Sequence, residues 1–160
     1  DTAEDKAQKL DDAAKKGKLE LAEREFKRIS GATPLVDGAI AAAQLELGQA
    51  EKALTGFGTV EAAANGDQLI TAMAIAGKAS AFEAANKSSE AIKAWQALEK
   101  LDARYAPMAA LAQAKLLERS GDNGKAISIL EKVDTAKLPP FGVKTEIERM
   151  RGLLAVEPAK

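Results

Sequence analysis

Three features of this chain carry side chains that could do chemistry. Asp11 and Asp12 set two carboxylates side by side. Gly121-Asp122-Asn123-Gly124-Lys125 gathers oxygen donors, two glycines and a lysine, and Ser, Lys, Asp and Glu are scattered throughout. Paired carboxylates serve a cation when they converge, but neighbours on a helix diverge by roughly 100°. The GDNGK stretch lacks the twelve-residue ligand spacing and distal Glu of a calcium loop. Nor is it a phosphate loop, which needs GxxxxGK[ST] after a strand; here Ala126 follows Lys125. Both features read as a solvated helix face and a turn. The chain has no His and no Cys, which removes the commonest metal ligand, the usual general base near neutral pH and all thiolate chemistry. No Ser–Lys or carboxylate pair stands apart from surface charge. The expectation is a protein that is not an enzyme and holds no cofactor or metal.

The bulk composition agrees with that expectation. Of 160 residues, 46% are hydrophobic and 4% aromatic, and 35 are Ala. A core of Ala, Leu and Ile suits closely packed helices, because small side chains let helix axes approach. Val is sparse, apolar and polar residues do not alternate strictly, and no strand is expected. Lys and Arg number 23 against 24 Asp and Glu, mixed along the chain for a net charge of −1. That balance leaves no basic footprint for nucleic acid and no basic amphipathic stretch for a membrane surface. No apolar run reaches the length of a bilayer span. The chain begins at Asp1 and not at Met, as expected of a processed or trimmed form.

The elements that must position any site are organised by a repeat. A turn residue, four residues, Ala, three residues, a large apolar residue, two residues and an aliphatic recur four times. The copies are Gly17/Ala22/Phe26/Ile29, Gly48/Ala53/Phe57/Val60, Asn86/Ala91/Trp95/Leu98 and Gly121/Ala126/Leu130/Val133. The alanines at 22, 53, 91 and 126 are 31, 38 and 35 residues apart. Periodicity and breakers then predict helices over 2–16 and 18–30 with a stop at Gly17, over about 34–47 and 50–64, and over 67–85 and 88–101. Further helices are predicted over 103–120, with Pro107 moving the start toward 106, over 124–133, and over 141–155. Thr2, Thr33 and Asp67 read as caps, and Asn65-Gly66 as a stop. Gly56 and Gly58 inside a helix signal close packing or irregularity. Four helix pairs are expected at about 2–31, 33–65, 67–102 and 103–135. After the break at Leu138-Pro139-Pro140, a capping helix lies within 136–156 and a tail covers 157–160. The capping helix buries Val143, Ile147, Met150 and Leu154 and turns Lys144, Glu146, Glu148, Arg149 and Arg151 to solvent.

Helix pairs with this pattern resemble tetratricopeptide repeats (TPR), whose general form runs W-x2-L-G-x2-Y, then A-x3-F, then P. Ala22/Phe26, Ala53/Phe57 and Ala91/Trp95 match the second half, and Ala126/Leu130 is a looser copy. Ala41, Ala79 and Ala114 fall at the small position of the first half and Phe82 at the Tyr position, while the Trp and closing Pro are mostly missing. The resemblance covers about residues 3–135. It implies an all-α fold, a right-handed superhelical solenoid of about four helix pairs with a C-terminal capping helix. The layout is also similar to the soluble part of YfgM-like proteins, ancillary subunits of the SecYEG translocon. The stretches ALTGFGTVEAAA, Gln68 to Ala85, SEAIKAWQAL, APMAALAQAKLLERSGDNGKAISIL and LPPFGVKTEIERMRGLLA carry that similarity. It implies a non-catalytic scaffold on the periplasmic side of a bacterial envelope, held by an N-terminal anchor, with translocon components, chaperones or secreted clients as protein partners. Repeat proteins that coordinate envelope assembly or cell division, a self-associating homo-oligomer and a cytoplasmic location are the alternatives.

A solenoid of such repeats lines its concave surface with the first helix of each pair. Counting back from the turns, the inward positions are Ala7, Asp11 and Ala14, then Leu35, Ala42 and Leu45, then Met73, Ala76, Ser80 and Glu83, then Met108, Leu111, Lys115 and Glu118. A groove with Met and Leu suits an apolar peptide or partner helix. The expected partner-binding residues are therefore Leu35, Leu45, Met73, Ser80, Glu83, Met108, Leu111, Lys115 and Glu118. The competing reading is that they pack against neighbouring helices. Clamping a C-terminal carboxylate, another use of TPR grooves, would need Lys, Arg and Asn where this chain has Ala7, Asp11, Gly38 and Ala42.

Overall fold

The computed structural model describes residues 13–21, 24 and 34–156. Among these the chain is all-α, with no strand. The expected cap at Thr2, the pair Asp11-Asp12, the residues Ala22, Phe26 and Ile29 of the first copy, Thr33 and the tail lie outside the described residues. Two compact units divide the chain, Asp1–Lys87 and Ser88–Lys160. In the first are α1 (13–21), α2 (Pro34–Glu46), α3 (Ala50–Ala62) and α4 (Gln68–Ala84). In the second are α5 (Ser88–Leu101), a 3-10 turn (Ala103–Tyr105), α6 (Ala106–Arg119), α7 (Asn123–Glu131), a 3-10 turn (Thr135–Lys137) and α8 (Val143–Val156). The division follows the Asn86 turn directly, so α4 and α5, expected as the third pair, belong to different units.

The repeated skeleton acts first through its turns. Gly48, Asn86 and Gly121 all adopt left-handed backbone, with φ of 72°, 57° and 81°. Each closes the same pair of hydrogen bonds. The N–H groups of Gly48 and Gln49 donate to the carbonyls of Leu45 and Gln44, at 2.9 and 2.8 Å. Those of Asn86 and Lys87 donate to Glu83 and Phe82, at 3.0 and 2.8 Å, and those of Gly121 and Asp122 to Glu118 and Leu117, both at 2.9 Å. This is the Schellman arrangement, which satisfies the last carbonyls of a helix and favours Gly or Asn at its left-handed position. Gly17 departs from the pattern. It was predicted to stop a helix, yet residues 13–21 are helical straight through it. Glycine permits a stop without compelling one, at a cost of about 1 kcal/mol relative to Ala when it stays helical.

Burial follows the skeleton too. Ala53, Phe57 and Val60 are buried in α3, and Ala91, Trp95 and Leu98 in α5. Ala126 and Leu130 are buried in α7, while Val133 is half-buried beyond its end. In the first unit Ala41, Ala53, Phe57 and Ala81 form a core, with Leu45 and Leu54 packed on it. Small residues set the helix spacing there. A Cβ on Gly56 would fall 2.8 Å from the Cβ of Ala41, and one on Gly77 would fall 2.3 Å from Cε1 of Phe57. Gly56 thus brings α3 against α2, and Gly77 lets the Phe57 ring reach the backbone of α4. Gly58 meets nothing within 4 Å and has no packing role. Asp67 caps α4 as predicted, accepting from the N–H groups of Leu69 and Ile70 at 2.9 and 3.1 Å.

In the second unit α6 packs on α5, α7 and α8, and α7 packs on α8. Leu111, Ala114, Ala126, Leu130, Ile147, Met150 and Leu154 form one core. The α8 stripe read from the sequence is therefore the buried one, with Val143 packed at its edge. Pro107 sits in the first turn of α6, which begins at Ala106. One member of the expected solvent face behaves otherwise. Arg151 turns back, and its guanidinium donates to the carbonyls of Leu130 and Val133. The last carbonyls of a helix are orphaned acceptors at the negative end of its dipole, and a cation satisfies both needs. Arg151 thus pins α8 to the C-terminal end of α7.

Candidate functional site

The nine expected partner-binding residues separate into exposed and packed sets. In the first unit Leu35, on the opening turn of α2, is 58% exposed. Leu45 packs against the Ala41–Phe57 core. Met73 is half-buried, and its Cε occupies the space beside Gly38, 2.8 Å from where a Cβ would stand. Ser80 is half-buried and donates through its hydroxyl to the Ala76 carbonyl at 3.1 Å, one turn back on its own helix. Glu83 is half-buried.

In the second unit Met108 is 38% exposed, whereas Leu111 is buried in the α6–α8 core. Lys115 is paired with Glu146 of α8 at 3.2 Å, and Glu118 is exposed. Leu45, Met73 and Leu111 are therefore packing residues, because their helices bury more than one face. Lys115 is held by the capping helix. The apolar candidates left facing solvent are Leu35 in one unit and Met108 in the other. Leu69 and Phe141, which sequence reasoning did not single out, are more exposed still, at 69% and 71%. Both sit at element starts, Leu69 beside the Asp67 cap and Phe141 after two prolines, where periodicity gives no facing direction.

Charged groups in the second unit pair locally. Arg149 bonds Glu146 through Nε at 2.9 Å and Nη2 at 3.0 Å. The Arg149 guanidinium first, and the Lys115 ammonium second, lower the Glu146 carboxyl to about 2. Asp102, Asp122 and Asp134 are also held below the usual carboxylate range, chiefly by side-chain bonds from Arg104, Lys125 and Lys137. Each of these aspartates also accepts a backbone N–H in its turn. The GDNGK stretch is thus a capped turn: Asp122 caps α7 and binds the Lys125 ammonium at 2.5 Å. Among the described residues no group of three or more Asp or Glu could hold a metal ion, and no helix is long and apolar enough to cross a membrane.

The second unit also contains a cavity of about 440 Å³ that none of the nine residues lines. Walls from α5, α6 and α7 and the turn at 134–138 enclose it, and Gln113 forms part of its lining. Gln113, Ile40 and Lys78 each lie thirteen residues before the skeleton alanine of their copy, Ala126, Ala53 and Ala91, and each directly precedes a small residue, Ala114, Ala41 and Ala79. That alignment of an apolar, an ionic and an amide side chain at one slot was the available sequence signal. No family model, curated protein or solved structure matches the chain.

Proposed function

We propose that this chain is a non-catalytic scaffold of TPR-like helix pairs that captures a protein partner through apolar side chains on the first helix of a pair. The observation that carries this reading is the recurrence of one skeleton in three Schellman turns and in the burial that follows them. Repetition of this kind makes surface by stacking similar units, and such surfaces serve binding. Of the nine expected residues, Leu35 and Met108 are the apolar ones that the packing leaves exposed on those helices.

The solenoid form, the periplasmic location and the link to secretion rest on the resemblance in layout to YfgM-like proteins. In that setting the partner is a translocon component, a chaperone or a secreted client. Leu35→Glu and Met108→Glu test the binding surface, because both positions are exposed and neither change should disturb the core. The expected result is loss of partner co-purification from envelope fractions at an unchanged melting temperature. Undiminished co-purification from both variants would contradict the reading.

A further inference from the structure

Asn-Gly occurs at Asn65-Gly66 and at Asn123-Gly124, and a third asparagine, Asn86, precedes Lys87. An asparagine followed by glycine carries a latent reaction. The next backbone nitrogen can attack the side-chain amide carbon, and glycine has no Cβ to shield that nitrogen. In a folded chain the reaction needs a nitrogen free of hydrogen bonds, an exposed amide and a backbone able to rotate the two together. The structure separates the three asparagines on these conditions.

Asn65 and Gly66 fill the two central positions of a tight turn between α3 and α4. Their φ values are 48° and 84°, and the Asp67 N–H donates to the Ala64 carbonyl at 2.8 Å. This is the pattern of a type I′ turn. Both residues are exposed, and a Cβ on Gly66 would meet nothing within 4 Å. Asp67 closes the turn, whereas the Gly66 N–H makes no hydrogen bond among the described residues. An exposed turn of this kind opens at the low end of the range of local stabilities.

The other two asparagines are held. The Lys87 N–H is engaged by the Phe82 carbonyl at 2.8 Å, and its nitrogen lies behind a Cβ. Asn123 is half-buried and begins α7, with Gly124 in the first turn of that helix. The Asp122 cap ties this turn down through the Lys125 N–H at 3.3 Å. Rotation at Asn123 would unwind the start of α7.

We propose that Asn65 is a site of spontaneous modification, converting to isoaspartate. The Gly66 nitrogen gives its proton to hydroxide or a buffer base and attacks Cγ of Asn65. The N–Cγ bond forms, the Cγ–Nδ2 bond breaks, and the amide nitrogen leaves as ammonia with a proton taken from water. Water then opens the cyclic imide. Opening at Cγ gives aspartate, and opening at the backbone carbonyl gives isoaspartate. Either product adds a negative charge to a chain whose net charge is −1. Isoaspartate also routes the main chain through Cβ and Cγ. That extra methylene breaks the Ala64–Asp67 closure and draws the Asp67 carboxylate away from the N–H groups of Leu69 and Ile70 that it caps.

The test is incubation of the full 160-residue chain at neutral and mildly alkaline pH, then acidic digestion and mass spectrometry with electron-transfer fragmentation, which distinguishes the two acids. Asn65 should convert, mainly to isoaspartate, roughly tenfold or more faster than Asn123 and Asn86, a barrier lower by about 1.4 kcal/mol. The rate should rise with pH. In urea, where both Asn-Gly pairs are unfolded, their rates should come within about twofold of each other. Amide exchange at Leu69 and Ile70 should quicken in the aged wild type. It should stay unchanged in aged Asn65→Gln, whose longer side chain closes the imide ring far less readily. Equal rates at Asn65 and Asn123 in the folded chain, or slowing of both by the same factor relative to urea, would overturn the proposal.

Discussion

Phe57 and Gly77 fit as ring and slot: the space a Cβ would take on Gly77 is filled by the Phe57 ring, with Cε1, Cδ1 and Cζ all within 2.4 Å of that point. Phe57 is the large apolar residue of the repeated skeleton, and this contact shows how it joins its helix to the next. Gly77→Ala sets two effects against each other. Helix propensity gains about 1 kcal/mol, and overpacking against a rigid aromatic ring costs about 1–3 kcal/mol. The clash should win, lowering unfolding free energy by up to about 2 kcal/mol in denaturant titration. Gly58→Ala, with open space around it, should stabilise by up to about 1 kcal/mol.

The turn glycines give a second contrast. Gly48 and Gly121 hold positive φ, and Ala there should destabilise by about 1 kcal/mol. Gly17 is helical and exposed with nothing near its Cβ position, so Gly17→Ala should stabilise by up to about 1 kcal/mol. A loss at Gly17 matching that at Gly48 and Gly121 would restore the stop that the sequence suggested.

These glycines also show how far the sequence could be read. The skeleton residues identify α3, α5 and α7 and the turns before them, because spacing fixes which face is buried and Gly or Asn marks where φ turns positive. The same reasoning overreached at Gly17, where identity alone does not say whether a glycine bends or continues. It misassigned Leu45, Met73 and Leu111 because a helix packed on two sides buries more than one stripe, and periodicity reports only the strongest. Arg151 looked like surface charge, since its acceptors at Leu130 and Val133 lie far away in sequence. Gln113 gave no composition signal, because a buried amide and an exposed one are the same letter.

Arg151 should be a structural residue. Arg151→Met removes two charged hydrogen bonds, typically about 1.5–3 kcal/mol each, but also removes a guanidinium whose Nε is buried without a partner. The net loss should be about 1–3 kcal/mol, read as earlier melting and faster amide exchange in α7. Arg151→Lys should recover less than half, because one ammonium lacks the planar fork that reaches both carbonyls.

Glu146 should make the second unit acid-sensitive. Its carboxyl is lowered to about 2 from 4.5. A carboxylate depressed in the folded state adds stability above its unfolded value, and that stability is lost as pH falls from about 4.5 toward about 2. Glu146→Gln should therefore show a smaller fall in melting temperature than wild type across that window. Because Glu146, Lys115 and Arg149 are all partly open to solvent, added salt should shrink the difference between the two proteins.

The proposed scaffold role is tested most directly by photo-crosslinking in intact cells. A crosslinking side chain at Met108 should give adducts with a polypeptide other than this chain, identified by mass spectrometry. The same group at Lys93, exposed on α5, should give far fewer. Equal yields at the two positions, or adducts only between copies of this chain, would contradict partner capture through the first helices.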